Sequence, residues 1–165
     1  MTMFAAFFVL YCQAHAREPE LFLRSQQRLD PGFGLANTVF LLGSSYLVAI
    51  GVRATRSGSA QAPRWFTWAM LCGGAFGVDK VIEYSEKAAA GITPLTNNFF
   101  MYYFVLTGIH AAHLLIGMCV LAYLRRATAR KIYRPSQTII ECCASYWHLV
   151  DVLWIVLFPL LYLLK

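Results

Sequence analysis

Four stretches of the chain are each long and apolar enough to cross a bilayer as an α-helix: Leu35 to Val52, Trp65 to Ile82, Asn98 to Leu124, and Thr138 to Leu164. About 20 residues at ~1.5 Å of rise cover the ~30 Å hydrocarbon layer. A shorter stretch, Met1 to Ala14, reaches only about 20 Å at that rise and reads as a short or truncated first span, the four full stretches being spans two to five in chain order. Inside hydrocarbon the backbone must satisfy its own hydrogen bonds, which leaves helices or a closed barrel. Runs of this length select helices. The expected fold is all-α, a polytopic membrane helix bundle of five transmembrane helices with the first one short. A chain that is 59% hydrophobic and only 13% charged, with a mean hydropathy of +0.55, is not an ordinary soluble domain.

The connections support the same division. Arg17 to Gly32 and Ser85 to Asn97 carry acids, amides, Pro and Gly, as loops do. Arg53 to Arg64 and Arg125 to Arg134 are basic and hold no acid. These basic residues sit in short loops, not in a patch interleaved with exposed aromatics, so nucleic acid is not an expected partner. They act as topology signals, because Lys and Arg near helix ends stay on the cytoplasmic side. Arg53, Arg56, Arg64, Arg125, Arg126, Arg130, Lys131 and Arg134 gather on one side, whereas acids and bases balance on the other. The N-terminus is therefore expected in the cytoplasm and Lys165 on the periplasmic side of a bacterial inner membrane. Ala14, His15 and Ala16 form a cleavage-like triplet, but no Lys or Arg precedes the apolar run, so a helix is preferred to a signal peptide.

Polar residues within the spans carry the most information. Thr107, His110, His113 and Gly117 fall at helical spacing along one face of the fourth span. Glu141, Ser145, His148 and Asp151 draw a second stripe along the fifth. Both stripes are expected to face inward. At ~1.5 Å per residue His113 lies about 22 Å, and His148 about 24 Å, from the outer ends of their spans, level with one another. Asp79 and Lys80 lie about 21 Å, and Asp151 about 20 Å, from the opposite ends, which opens a buried ion pair. A carboxylate at a helix centre costs about 3 kcal/mol to insert, and each Leu, Ile, Val or Phe contributes roughly 0.3 to 0.6 in favour. The fifth span holds fourteen of these, enough to outweigh Asp151.

The histidines admit two readings. His110 or His113 on one helix and His148 on another could clamp a haem, as in a small b-type cytochrome. Alternatively they donate interhelical hydrogen bonds worth about 0.6 kcal/mol each. No second histidine pair stands at matching depth, and no thiolate or further carboxylate completes a metal set, so the structural role is expected. A proton relay is less favoured, since spans two and four hold no acid. Gly73, Gly74, Gly77 and Gly108 with Ala112 are expected to let helices approach closely. Phe99, Phe100, Tyr102, Tyr103 and Phe104 read as an interfacial belt. Cys12, Cys72, Cys119, Cys142 and Cys143, an odd number inside spans, read as small packing residues without a disulfide framework.

Thr107-Gly108-Ile109-His110-Ala111-Ala112-His113, the Glu83-Tyr84 pair before it, and Tyr146-Trp147-His148-Leu149-Val150-Asp151-Val152-Leu153-Trp154 after it together resemble subunit III of the haem-copper oxidases. The resemblance covers essentially all of 1–165 as one domain and matches the last five helices of the seven-helix oxidase subunit. Asn37-Thr38, Ser44-Ser45, Lys80 ahead of Glu83, and the Asn97 to Tyr103 segment point within this family to the five-helix accessory protein of nitric oxide reductase, NorE. Five-helix subunit III proteins of oxygen-reducing cytochrome c oxidases are the alternative. The resemblance implies an accessory subunit with no catalytic residues, metal or cofactor of its own. Such a subunit docks beside a catalytic haem-copper subunit and binds structural phospholipid. It also implies a polar framework, here Lys80, Glu83, Tyr84, Thr107, His110, His113, Glu141, Trp147, His148 and Asp151.

The family pattern places an acid just before the residues aligned with Met3 to Phe8. That position falls ahead of Met1, which implies a start assigned too far downstream or a shortened first helix.

Overall fold

The computed structural model describes residues 2–129 and 136–163. The chain forms helices α1 (Thr2–Arg17), α2 (Pro19–Gln26), α3 (Pro31–Arg56), α4 (Ala62–Ala89), α5 (Asn98–Ala129) and α6 (Gln137–Phe158), and then a π turn (Pro159–Leu163). Arg130, Lys131 and Arg134, part of the basic loop, lie outside the described residues, as do Met1 and Lys165.

Helix ends are written in the local sequence. Asp30 accepts from the Gly32 N–H at 2.8 Å with Pro31 opening α3; Asn97 accepts from the Phe100 N–H at 2.9 Å, and Ser136 from that of Ile139. Each satisfies a first-turn donor that has no intrahelical partner. Two helices stop at glycines in the left-handed region, Gly58 at φ 70° and Gly91 at φ 72°. The Ile92 N–H bonds the Lys87 carbonyl at 2.9 Å and that of Gly91 bonds Ala88 at 3.0 Å, a Schellman closure; Ser59 and Gly58 repeat it on Ala54 and Thr55. Pro159 has no N–H to continue α6, and the helix widens into the π turn there. Carbonyls freed at this end are taken by other helices: Tyr11 Oη donates to Leu160 O and Gln26 Nε2 to Leu161 O, both at 3.0 Å.

Helices α3, α4, α5 and α6 pack in that order as a closed ring, with α6 returning to α3, while α1 and α2 lie against α5. The core is aromatic: Phe66, Phe76, Phe99, Phe100, Tyr103, Trp147 and Trp154 are all fully buried. Among the described residues three helices, α3, α5 and α6 with its terminal turn, are long and apolar enough to cross a membrane. At 28 residues α4 has the length, but it carries Asp79, Lys80, Glu83, Glu86 and Lys87; α1, at 16 residues, is short as expected.

Several expectations change. The Arg17 to Gly32 connection contains α2, whose buried Phe22, Ser25 and Gln26 seal one end of the bundle. Phe99, Phe100 and Tyr103 are core residues rather than a belt, because α2 covers the start of α5 and removes it from the interface. Among the glycines, Gly73 and Gly117 make close approaches, but to an indole instead of a backbone. A Cβ at Gly73 would lie 2.9 Å from Trp147 Cη2, and one at Gly117 would lie 2.8 Å from its Cε3. Around Gly74, Gly77 and Gly108 an added Cβ meets nothing within 4 Å, so these face outward. The five cysteines are free: Cys12, Cys119 and Cys142 are exposed instead of packed, Cys72 is half-buried, and half-buried Cys143 packs against the core as expected.

Candidate functional site

Lys80, Glu83 and Lys87 recur at i, i+3 and i+7 and so share one face of α4. That face points into the bundle near the α2 end. Lys80 is 6% exposed, Glu83 1% and Lys87 7%. Lys80 Nζ donates to Glu83 Oε2 at 2.5 Å and to Tyr162 Oη at 2.9 Å, while Tyr162 Oη donates to Glu83 Oε1 at 2.7 Å. Lys87 Nζ lies 3.6 Å from the same Oε1. Aromatic faces complete the enclosure: the Lys80 ammonium stands 4.7 Å from the Trp154 ring centroid and 5.7 Å from that of Tyr103. Paired, hydrogen-bonded and backed by ring quadrupoles, these charges meet the conditions under which ions tolerate burial.

The ion pair expected between Lys80 and Asp151 does not form. Lys80 spends its charge one turn along its own helix, on Glu83, and sits over Trp154, one turn from Asp151 on α6. Asp79 instead accepts from Asn37 Nδ2 at 2.6 Å, joining α4 to α3. Asp151 is 5% exposed, and its Oδ1 has no hydrogen-bond partner among the described residues.

The first polar stripe faces inward as expected. The Tyr84 hydroxyl bonds that of Thr107, which donates in turn to the Tyr103 carbonyl at 2.6 Å. His110 is fully buried, its ring 5.5 Å from Phe76 and 5.3 Å from Trp154 between centroids, and neither ring nitrogen has a hydrogen-bond partner among the described residues, so the interhelical hydrogen bond expected of it is replaced by aromatic packing. Half-buried His113 donates from Nδ1 to the Ile109 carbonyl at 2.8 Å and meets Phe4 of α1 edge-on at 5.4 Å. Trp147 fills the space left by Gly73 and Gly117.

The second stripe turns partly outward. Glu141 and Ser145 are exposed, His148 is half-buried, and only Asp151 is buried. The cause is α3, which lies alongside α6 and takes its polar groups one by one. Arg56 pairs with Glu141, to which Gln137 Nε2 also donates at 2.9 Å; Ser45 bonds His148 Nδ1; and Trp154 Nε1 donates to Thr38 at 3.1 Å. His110 and His148 consequently address different spaces, one inside the ring and the other in the α3–α6 seam.

Tyr162 and Lys87 belong to the central cluster but are not singled out in the sequence, and Tyr103, read there as part of the belt, belongs to it too. Lys87 was discoverable from its spacing to Glu83. Tyr162 carried no local signal, because the π turn that continues α6 sets the direction in which it points. Among the described residues no group of three His, Cys, Asp or Glu side chains is placed to hold a metal ion. What the arrangement does is join α3, α4, α5 and α6 through buried polar contacts at several levels.

The family described as cytochrome c oxidase subunit III matches residues 2–165. The chain is similar to cytochrome c oxidase subunit 3 of Corynebacterium diphtheriae, 29% identical over 100% of this chain and 82% of that protein. It is 37% identical to the subunit 3 of Synechocystis sp. over 78% of this chain and 55% of that protein. A probable cytochrome c oxidase subunit 3 of Mycobacterium tuberculosis is 26% identical over 100% of this chain and 82% of its own length.

Proposed function

The chain belongs to the cytochrome c oxidase subunit III family, and on that premise we propose that it is a non-catalytic accessory subunit of an oxygen-reducing haem-copper oxidase, stabilising the catalytic subunit beside it. The match over residues 2–165 carries this reading. The buried polar groups support it: Lys80, Glu83, Tyr84 and Thr107 are committed to one another, as in a scaffold. The nitric oxide reductase branch, favoured by Lys80 and the Asn97 to Tyr103 segment, draws no support from the relatives' names, which favour the oxidase. A haem clamped by His110 and His148 is disfavoured by their separate settings.

Three membrane-capable helices and the family place the protein in a membrane. We further propose the bacterial inner membrane, with the basic loops at Arg53 to Arg64 and after Arg125 in the cytoplasm. A structural phospholipid is proposed near α2, where Glu18, Glu20, Arg24, Ser25, Arg28 and Asn97 line an open cavity of about 620 Å³; Arg24 lies 3.8 Å from Glu20, which leaves Arg28 as the cation for a phosphate and the Ser25 and Asn97 side chains for a headgroup.

Affinity purification from detergent-solubilised membranes tests the main reading. A haem-bearing oxidase subunit should accompany the tagged chain, and the chain stripped of it should be colourless. A reduced-minus-oxidised haem band in the isolated chain that vanishes in His110→Ala or His148→Ala overturns the proposal. Recovery with a nitric oxide reductase instead of an oxidase overturns its finer part.

A further inference from the structure

The seam between α3 and α6 holds polar groups where the bundle meets hydrocarbon. Its floor is the Ser45 to His148 hydrogen bond, which engages Nδ1 of a half-buried ring. Nε2 makes no hydrogen bond among the described residues. Ser145, one turn from His148 on α6, is exposed, and Tyr46, next to Ser45 on α3, is 69% exposed. Counting at ~1.5 Å per residue from the nearer helix end, Ser145 lies about 12 Å, Tyr46 about 15 Å and His148 about 16 Å inside. That is the middle of a ~30 Å hydrocarbon layer, beyond water and headgroups. Other outward faces at this depth present apolar side chains, Leu71 and Val78 on α4 and Leu115 and Ile116 on α5. Ionisable and hydrogen-bonding groups at such depth are found facing protein, not lipid.

We propose that the α3–α6 seam is the docking surface for a transmembrane helix of the catalytic subunit, one that brings a hydroxyl or amide side chain to His148 at mid-bilayer. This rests on the accessory-subunit reading and adds to it the face and the chemistry of contact. A hydroxyl or amide suits either tautomer, since it donates and accepts, and so pairs with Nε2 whichever way the Ser45 proton points. Helical spacing agrees: Leu42, one turn before Ser45, and Val152, one turn after His148, are both exposed, and Ser145, one turn before His148, is small enough to let a helix backbone approach.

Photo-crosslinking in the assembled complex tests the seam. p-Benzoylphenylalanine in place of Leu42 or Val152, and in place of Val78 as the control face, is irradiated in native membranes and the adducts are identified by mass spectrometry. Adducts to the haem-bearing chain are expected from positions 42 and 152, at least ten-fold above position 78. Equal yield from position 78, adducts to a second copy of this chain, or adducts to lipid alone in a preparation that retains haem overturn the seam. A preparation without any haem-bearing chain overturns the subunit reading, and the seam with it. Ser145→Trp supplies an independent arm, because the exposed site leaves folding of the chain intact. It should reduce recovered haem per chain at least ten-fold with unchanged thermal unfolding of the isolated protein. Undiminished haem recovery overturns the proposal.

Discussion

Tyr162 donates its phenolic proton to Glu83 at 2.7 Å, across 79 positions of sequence. This bond lets the last turn of the chain share a carboxylate with two lysines of α4. The shared carboxylate faces two buried ammonium groups, so its removal is felt by both.

Glu83→Gln should therefore lower stability by about 3 to 5 kcal/mol, the usual cost of stranding a buried charge. Tyr162→Phe, which removes one hydrogen bond to a charged group, should cost about 1.5 to 3 kcal/mol. Adding Lys80→Met to Glu83→Gln should recover part of the loss. Thermal unfolding in detergent reads all three. A Glu83→Gln protein as stable as the parent would show that the lysines do not depend on this carboxylate.

Glycine substitutions should divide sharply by position. Gly117→Val places a Cβ 2.8 Å from Trp147 Cε3 and should cost about 1 to 3 kcal/mol through overpacking. Gly74→Ala and Gly77→Ala meet open space and should gain up to about 1 kcal/mol from helix propensity. Comparing the three melting temperatures in one detergent checks the division.

Asp151→Asn keeps the shape of a buried side chain whose Oδ1 has no partner among the described residues. Assembly with the catalytic subunit, or stability, should fall modestly, and oxygen consumption per haem in the complexes that do form should stay near that of the parent. Complete loss of turnover in a fully assembled complex would assign Asp151 a part in the chemistry.

Topology can be read with single cysteines in a background lacking the native ones. An impermeant maleimide added outside spheroplasts should label Thr93→Cys in the α4–α5 loop and leave Ser59→Cys in the basic loop unlabelled until the membrane is opened. The reverse pattern would invert the bundle.

The long helices were legible because hydrocarbon permits few alternatives. Asn98 to Leu124 and Thr138 to Leu164 anticipate α5 and α6 to within a few residues, and the Thr107, His110 and Gly117 face points inward as its spacing indicates. Helix α2 was hidden because Pro19-Glu20 and Arg24 look like loop residues, and only its burial against α5 explains Phe22. The α6 stripe misled for a related reason. Helical spacing shows that Glu141, Ser145, His148 and Asp151 share a side, but a neighbour such as α3 determines whether that side is inside. Lys80 had three carboxylates within reach in sequence or depth, and the choice of Glu83 depended on Tyr162 arriving from the chain's far end.

The Tyr11 hydroxyl on the Leu160 carbonyl spans 149 positions, and Gln26 on Leu161 spans 135. Helices α1 and α2, which also rest on α5, are thus latched to the π turn at two points, so a change that rewinds Pro159–Leu163 into regular helix should loosen both of them at once.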